Sequence, residues 1–130
     1  MLLVVEDERH IQDLLEISLT DAGFEVVTAS DGTEAIAELD AASSRCRAVI
    51  TDIKLGAGPK GWEVARHARM LVPDMPIVYV TGDSGHEWPS QGVPNSVLVV
   101  KPFALSQIIT AISALLTDAD AHRASTADGC

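Results

Sequence analysis

Basic residues are scarce in this chain. Nine Lys and Arg stand against 19 Asp and Glu, for a net charge of −10, and Lys and Arg form no run. A surface this acidic repels phosphate backbones, which argues against nucleic-acid binding by the chain alone. Cysteine is equally sparse. Cys46 and Cys130 lie far apart and imply free thiols in a reducing, cytoplasmic compartment rather than a disulfide framework. No apolar run is long enough to cross a bilayer. The opening MLLVVEDERH lacks the basic start and longer apolar stretch of a signal peptide. The four histidines show no metal-ligand spacing, and no G-x-S-x-G nucleophile motif occurs. Aromatics are only 4% of the chain, and Trp62 and Trp88 read as packing residues.

What is present is a core. At 130 residues and 47% hydrophobic, the chain can form one domain without staples. Short, nearly continuous β-branched runs occur at residues 2–5, 25–28, 48–51, 77–80 and 97–100. Such runs fit strands buried on both faces of a parallel sheet. Helical patterns lie between them. The first places Ile11, Leu14, Leu15, Ser18, Leu19 and Ala22 on one face and stops at Gly23. The second starts at Asp31, three residues before Glu34, and turns Ala35, Ile36 and Leu39 inward. The third carries Val64, Ala65, Ala68 and Leu71, and ends before Pro73. The last carries Ile108, Ile109, Ile112, Leu115 and Leu116. Residues 83–96 are broken by Gly85, Pro89, Gly92 and Pro94, so the fourth helix should be short or irregular. Residues 118–130 have almost no large apolar side chains and read as a disordered tail. The alternation predicts an α/β fold: a doubly wound, five-stranded parallel sheet of order 2-1-3-4-5 in a flavodoxin-like three-layer sandwich.

Ligands in such sheets bind beyond the carboxyl ends of the strands. Strand 1 ends in Glu6, Asp7 and Glu8; strand 3 in Thr51 and Asp52; strand 4 in Thr81, Gly82 and Asp83; strand 5 in Lys101 and Pro102. Strand 2 ends without charge, so the charged ends converge on one crevice. Carboxylates gathered there repel one another and need a cation or a shared proton. Hard oxygen donors in an open site suit Mg²⁺. Lys101 offers a compact positive charge for a phosphoryl oxygen, and Thr81 a hydroxyl donor. A metal-bound carboxylate beside a lysine can act as a nucleophile and form an aspartyl-phosphate. Glu8 reads as a first-turn helix acid rather than a ligand.

In order, VVEDE, VITDI, VTGD and VKPF resemble the receiver domain of two-component response regulators, over about residues 1–117. The resemblance implies that Asp52 is the phosphoacceptor. It implies that Asp7 is a direct Mg²⁺ ligand, with Glu6 the acidic neighbour that helps hold the metal, and that Lys54 lends its backbone carbonyl. It makes Thr81 the switch hydroxyl and Lys101 the site lysine, whose bond to Pro102 is usually cis in the family. The phosphodonor would be a sensor histidine kinase or a histidine phosphotransfer protein. A downstream protein target would read a surface built from the fourth helix, fifth strand and fifth helix. The chain would catalyse only its own phosphorylation and dephosphorylation.

Some features depart from that pattern. Leu98 stands where the family usually has an aromatic, three residues before the lysine, so an aromatic rotamer switch is absent there. No output domain follows residue 117, which fits a stand-alone receiver acting through protein contact. Lys54 and Asp83 either approach each other over the phosphate and slow its hydrolysis or are two solvated side chains. Other readings of the chain are a pseudo-receiver that binds without phosphorylation and a small nucleotide- or flavin-binding domain. A haloacid-dehalogenase-like phosphatase needs a second Asp where Lys54 stands. The stretch GAGPKG (56–61) matches G-x-G-x-x-G formally, but that fingerprint belongs after strand 1, not strand 3. It reads instead as a glycine-rich loop, one residue longer than usual for receivers and mobile beside Asp52.

Overall fold

The computed structural model describes residues 1–82 and 87–128, with side chains through Ala119. Strands and helices alternate: β1 (Leu2–Val5), α1 (Arg9–Asp21), β2 (Val26–Ala29), α2 (Gly32–Ala42), β3 (Ala48–Asp52), α3 (Gly61–Leu71), β4 (Ile77–Thr81), α4 (Trp88–Gln91), β5 (Val97–Val100) and α5 (Leu105–Asp128). The strands pair in parallel, in the expected order β2-β1-β3-β4-β5.

Period-2 alternation divides the core into two layers. Leu3 and Val5 point with Val49, Ile77 and Tyr79 toward α2 and α3, meeting Ala35, Leu39, Trp62, Val64, Ala65 and Ala68. Leu2 and Val4 point the other way with Ile50, Val78 and Val80, meeting Leu15 and Leu19 of α1 and Ile108, Ile112 and Leu116 of α5. Strands covered on both faces must be apolar at successive positions, which is why their runs are nearly continuous. Burying each large aliphatic side chain contributes roughly 1.5–3 kcal/mol.

The helix ends follow local chemistry. The Asp31 carboxylate accepts from the Glu34 amide at 2.7 Å and caps α2. Beyond α1, Gly23 takes a φ of 100° and turns the chain into β2. The α1 stripe differs from expectation. Gln12, Leu15 and Leu19 are buried, whereas Leu14 is 52% exposed and Ala22 lies at the surface. The buried stripe is thus rotated by part of a turn, with a polar side chain on it. Leu71 at the end of α3 is also partly exposed. The chain past residue 117, expected to be disordered, continues as helix α5 to Asp128. Four alanines and no Gly or Pro before Gly129 give it helix propensity without large apolar residues.

Helix α4 is short, four residues long. Its connection to β5 is tied to the core through Tyr79. The phenol oxygen accepts from the Val93 amide at 3.1 Å, and the ring meets Trp62 edge-on at 4.7 Å. Nearby, the Trp88 indole donates to Ser96 Oγ at 3.0 Å, and Ser96 Oγ donates to the Val93 carbonyl at 2.6 Å. Tyr79 pairs across the ladder with Leu98. Beside Leu98, an aromatic thus stands on β4. Tyr79→Phe leaves the Val93 amide without this acceptor and is expected to cost about 1 kcal/mol. Urea unfolding checks it; an unchanged midpoint would show that this bond holds nothing.

Candidate functional site

The carboxyl ends of β1, β3, β4 and β5 meet at one edge of the sheet. Asp52 is the last residue of β3, buried, with its carboxylate reaching the edge. Its Oδ1 accepts from the Lys54 amide at 3.3 Å, and its Oδ2 accepts from Lys101 Nζ at 3.0 Å. Lys101 leaves β5 with its amide bonded to the Thr81 carbonyl at 2.7 Å, and its bond to Pro102 is cis. The same ammonium lies 3.4 Å from Glu6 Oε2 and 3.7 Å from Glu8 Oε1. Glu6, 1% exposed, also accepts from the Glu8 amide at 3.2 Å. Asp7, Glu8, Asp52, Lys54, Gly82 and Lys101 line an open cleft of about 420 Å³.

One lysine thus faces three carboxylates. Burial alone would lower the Lys101 pKa, but the hydrogen bond and charge of Asp52, joined by Glu6, raise it overall. The Glu6 carboxyl is pushed up to about 7, first by burial and then by the charge of Asp52. The folded protein therefore holds this proton where the unfolded chain has released it. Stability from this group is lost as pH rises from 4.5 to about 7. Glu6→Gln is expected to remove this part of the decline between pH 4.5 and about 7 in metal-free urea unfolding. An equal decline in both proteins would assign it to other groups.

Oxygen atoms of Glu6, Asp7 and Asp52 lie within 4.8 Å of one another, with Asp7 exposed and the other two buried. A hard, anionic set of oxygen donors, open on one side, fits Mg²⁺.

Glu6, Asp7, Asp52, Lys54 and Lys101, picked out from sequence, are brought together here. Thr81 ends β4 beside them and is buried, but it is not among the residues lining the cleft. Asp83, and with it any approach to Lys54, lies outside the described residues. Glu8 goes beyond its expected role. It precedes α1 as the N-cap residue and turns its carboxylate toward Lys101. Its place after the acidic pair was the available signal. The GAGPKG loop makes contacts at its C-terminal end. Gly56 and Gly58 take φ values of 71° and 91°, a backbone that favours glycine. Pro59 backs onto Gly32 of α2, and Gly61 starts α3 with its amide on the Ile53 carbonyl at 2.9 Å.

Residues 2–113 match the family described as the response regulator receiver domain. The chain belongs to that family. Among solved structures, the receiver is similar to a response regulator receiver protein from Sinorhizobium medicae, at 45% identity and a TM-score of 0.86, over 89% of this chain and 93% of that one. It is also similar to the response regulator TrrA of Thermotoga maritima, solved with Mg²⁺–BeF, at 30% identity and a TM-score of 0.77, over 88% and 96% of the two chains. Among curated proteins it is 34% identical over 119 residues to the response regulator MprA of Mycolicibacterium vanbaalenii, across 88% of this chain and 49% of that protein. The receiver thus spans about half the length of the curated relatives it matches. It is a receiver domain of a two-component response regulator. No helix among its described residues is long and apolar enough to cross a membrane.

Proposed function

We propose that Asp52 accepts a phosphoryl group from a phosphohistidine on a sensor kinase or histidine phosphotransfer protein. The observation that carries this reading is Lys101 Nζ at 3.0 Å from Asp52 Oδ2, with the oxygens of Glu6 and Asp7 gathered at the same cleft. An Asp52 carboxylate oxygen attacks phosphorus, the P–N bond breaks, and the imidazole keeps the electron pair and takes up a proton. The Lys54 amide and Lys101 orient the nucleophile; the Lys101 ammonium then pairs with a phosphoryl oxygen. Glu6, Asp7 and Asp52, with the Lys54 carbonyl, would hold Mg²⁺, which when bound neutralises charge on the transferring group. That TrrA was solved with Mg²⁺–BeF supports this assignment.

Beside the cleft, Ile11, Leu14, Leu15, Pro102, Phe103 and Leu105 line a groove of about 670 Å³ that shares Lys101 with the acidic site. A protein delivering a phosphoryl group to Asp52 has an apolar surface there to seat on. Once phosphorylated, the site draws the Thr81 hydroxyl toward the new oxygens. This shifts the population of a surface made by α4, β5 and α5, which a protein target reads. With Leu98 on β5, Tyr79 and its bond to Val93 form the aromatic link between β4 and that surface. A nucleotide-binding reading has less support, because the GAGPKG backbone is packed on Asp52 and α2.

Intact mass after incubation with Mg²⁺ and acetyl phosphate tests the proposal. Gain of one phosphoryl group, prevented by a chelator, is expected. No adduct, with tight nucleotide binding instead, would overturn it.

A further inference from the structure

Gln12 is the one buried polar side chain of α1 among the described residues, 6% exposed. It shares the inward stripe with Leu15 and Leu19, at spacings where a helix of this fold places apolar residues. Its amide nitrogen donates to the carbonyl of Glu6 at 3.1 Å and to the carbonyl of Ala29 at 3.2 Å, with Ser30 Oγ at 3.5 Å. The amide orientation is forced by these partners, since the reverse would set oxygen against two carbonyl oxygens. The two N–H groups meet the carbonyls where the β1 and β2 ladder runs out, just past the Glu6 amide bond to Ala29.

The Glu6 carbonyl belongs to the peptide unit that joins Glu6 to Asp7. That unit is planar, so fixing its oxygen fixes the direction in which both residues leave it. One carboxylate from each side of this peptide enters the acidic site. No strand residue follows Val5 to hold this peptide through a β ladder. The Gln12 side chain supplies that constraint from α1, anchored in turn by its own amide on the Glu8 carbonyl at 2.9 Å.

We propose that Gln12 is a positioning residue: by clamping the Glu6–Asp7 peptide it presets the two carboxylates for Mg²⁺. The proposal rests on the reading of these carboxylates as the metal site. Orienting groups behind metal ligands commonly account for about 10–100-fold in affinity. Gln12→Met keeps the length and volume of the side chain but removes both donors.

Calorimetric titration of Mg²⁺ into wild type and Gln12→Met is the test, with urea unfolding of each beside it. Expected is Mg²⁺ binding by wild type, at least about tenfold weaker in the variant. Acetyl-phosphate labelling in the variant should recover when Mg²⁺ is raised to saturation. Reduced stability with unchanged Mg²⁺ affinity would make Gln12 a structural cap and overturn the proposal. No Mg²⁺ binding by wild type would overturn the metal-site reading itself, and this inference with it. If the variant does not fold, NMR of wild type decides. The Gln12 side-chain amide signals should move with the same Mg²⁺ midpoint as the Glu6 and Asp7 amides, and signals that stay still would overturn the clamp.

Discussion

Asp52→Asn is expected to abolish the phosphoryl adduct formed with Mg²⁺ and acetyl phosphate, while leaving the fold intact. Asn matches Asp in shape, so the end of β3 and its burial are kept. The chemistry is not kept. An amide oxygen is a poor nucleophile, the donor set loses an anionic ligand, and Lys101 loses its nearest carboxylate. Removing a nucleophile outright typically lowers rates by far more than the loss of one orienting contact, so the labelling rate should fall at least about 10³-fold. The substitution also removes the Asp52 charge that helps raise the Glu6 carboxyl, which should ionise more readily in the variant. Intact mass reports the first effect and NMR titration of Glu6 the second. An adduct of undiminished yield would place the phosphoryl group elsewhere.

Gly61→Ala should be the most damaging single-methyl change at the site. A Cβ at this position would stand 2.2 Å from the Asp52 carbonyl oxygen, 2.8 Å from Ile53 Cα and 3.0 Å from the Asp52 carbonyl carbon. All three are backbone atoms, so no rotamer change relieves the contact. They lie at the end of β3, which is paired with β1 on one side and β4 on the other. Either the start of α3 moves away or Asp52 moves out of register with Lys101. A loss of about 3 kcal/mol is expected, the upper range for an overpacked site, together with slower labelling at Asp52. Gly82→Ala serves as the stability control, because no atom of the described residues lies within 4 Å of its Cβ position. Stability within about 1 kcal/mol of wild type for Gly61→Ala would show that the loop yields freely.

The same contact explains why the glycine-rich stretch reads ambiguously. G-x-G-x-x-G is a pattern of backbone permissiveness, and two demands for it coincide here: left-handed turns at Gly56 and Gly58, and close approach to a strand at Gly61. Neither demand involves a phosphate. Sequence alone could place the loop after β3 but could not reveal that Pro59 meets Gly32 across the fold, so the loop read as mobile. The strands, by contrast, were legible because burial on both faces leaves a continuous apolar run. The acidic edge was legible because parallel strands all end on the same side. Helix α1 was legible as a helix but not in its rotation. Leu14 looks like core on hydrophobicity, yet Gln12 takes the inward place, where its amide donates to the Glu6 carbonyl and joins the Glu6 amide on the Ala29 carbonyl. The end of α5 was missed for a related reason: scarcity of apolar side chains limits packing but does not forbid helical backbone.

A phosphoryl group on Asp52 would be an acyl phosphate. An acyl phosphate can be trapped by borohydride, which reduces the phosphorylated aspartate to homoserine. Peptide mapping after Mg²⁺, acetyl phosphate and borohydride should find homoserine at position 52, only when Mg²⁺ is present. Homoserine at another aspartate, the corresponding five-carbon alcohol at a glutamate, or no reduced residue at all in protein that carries the adduct would contradict the assignment.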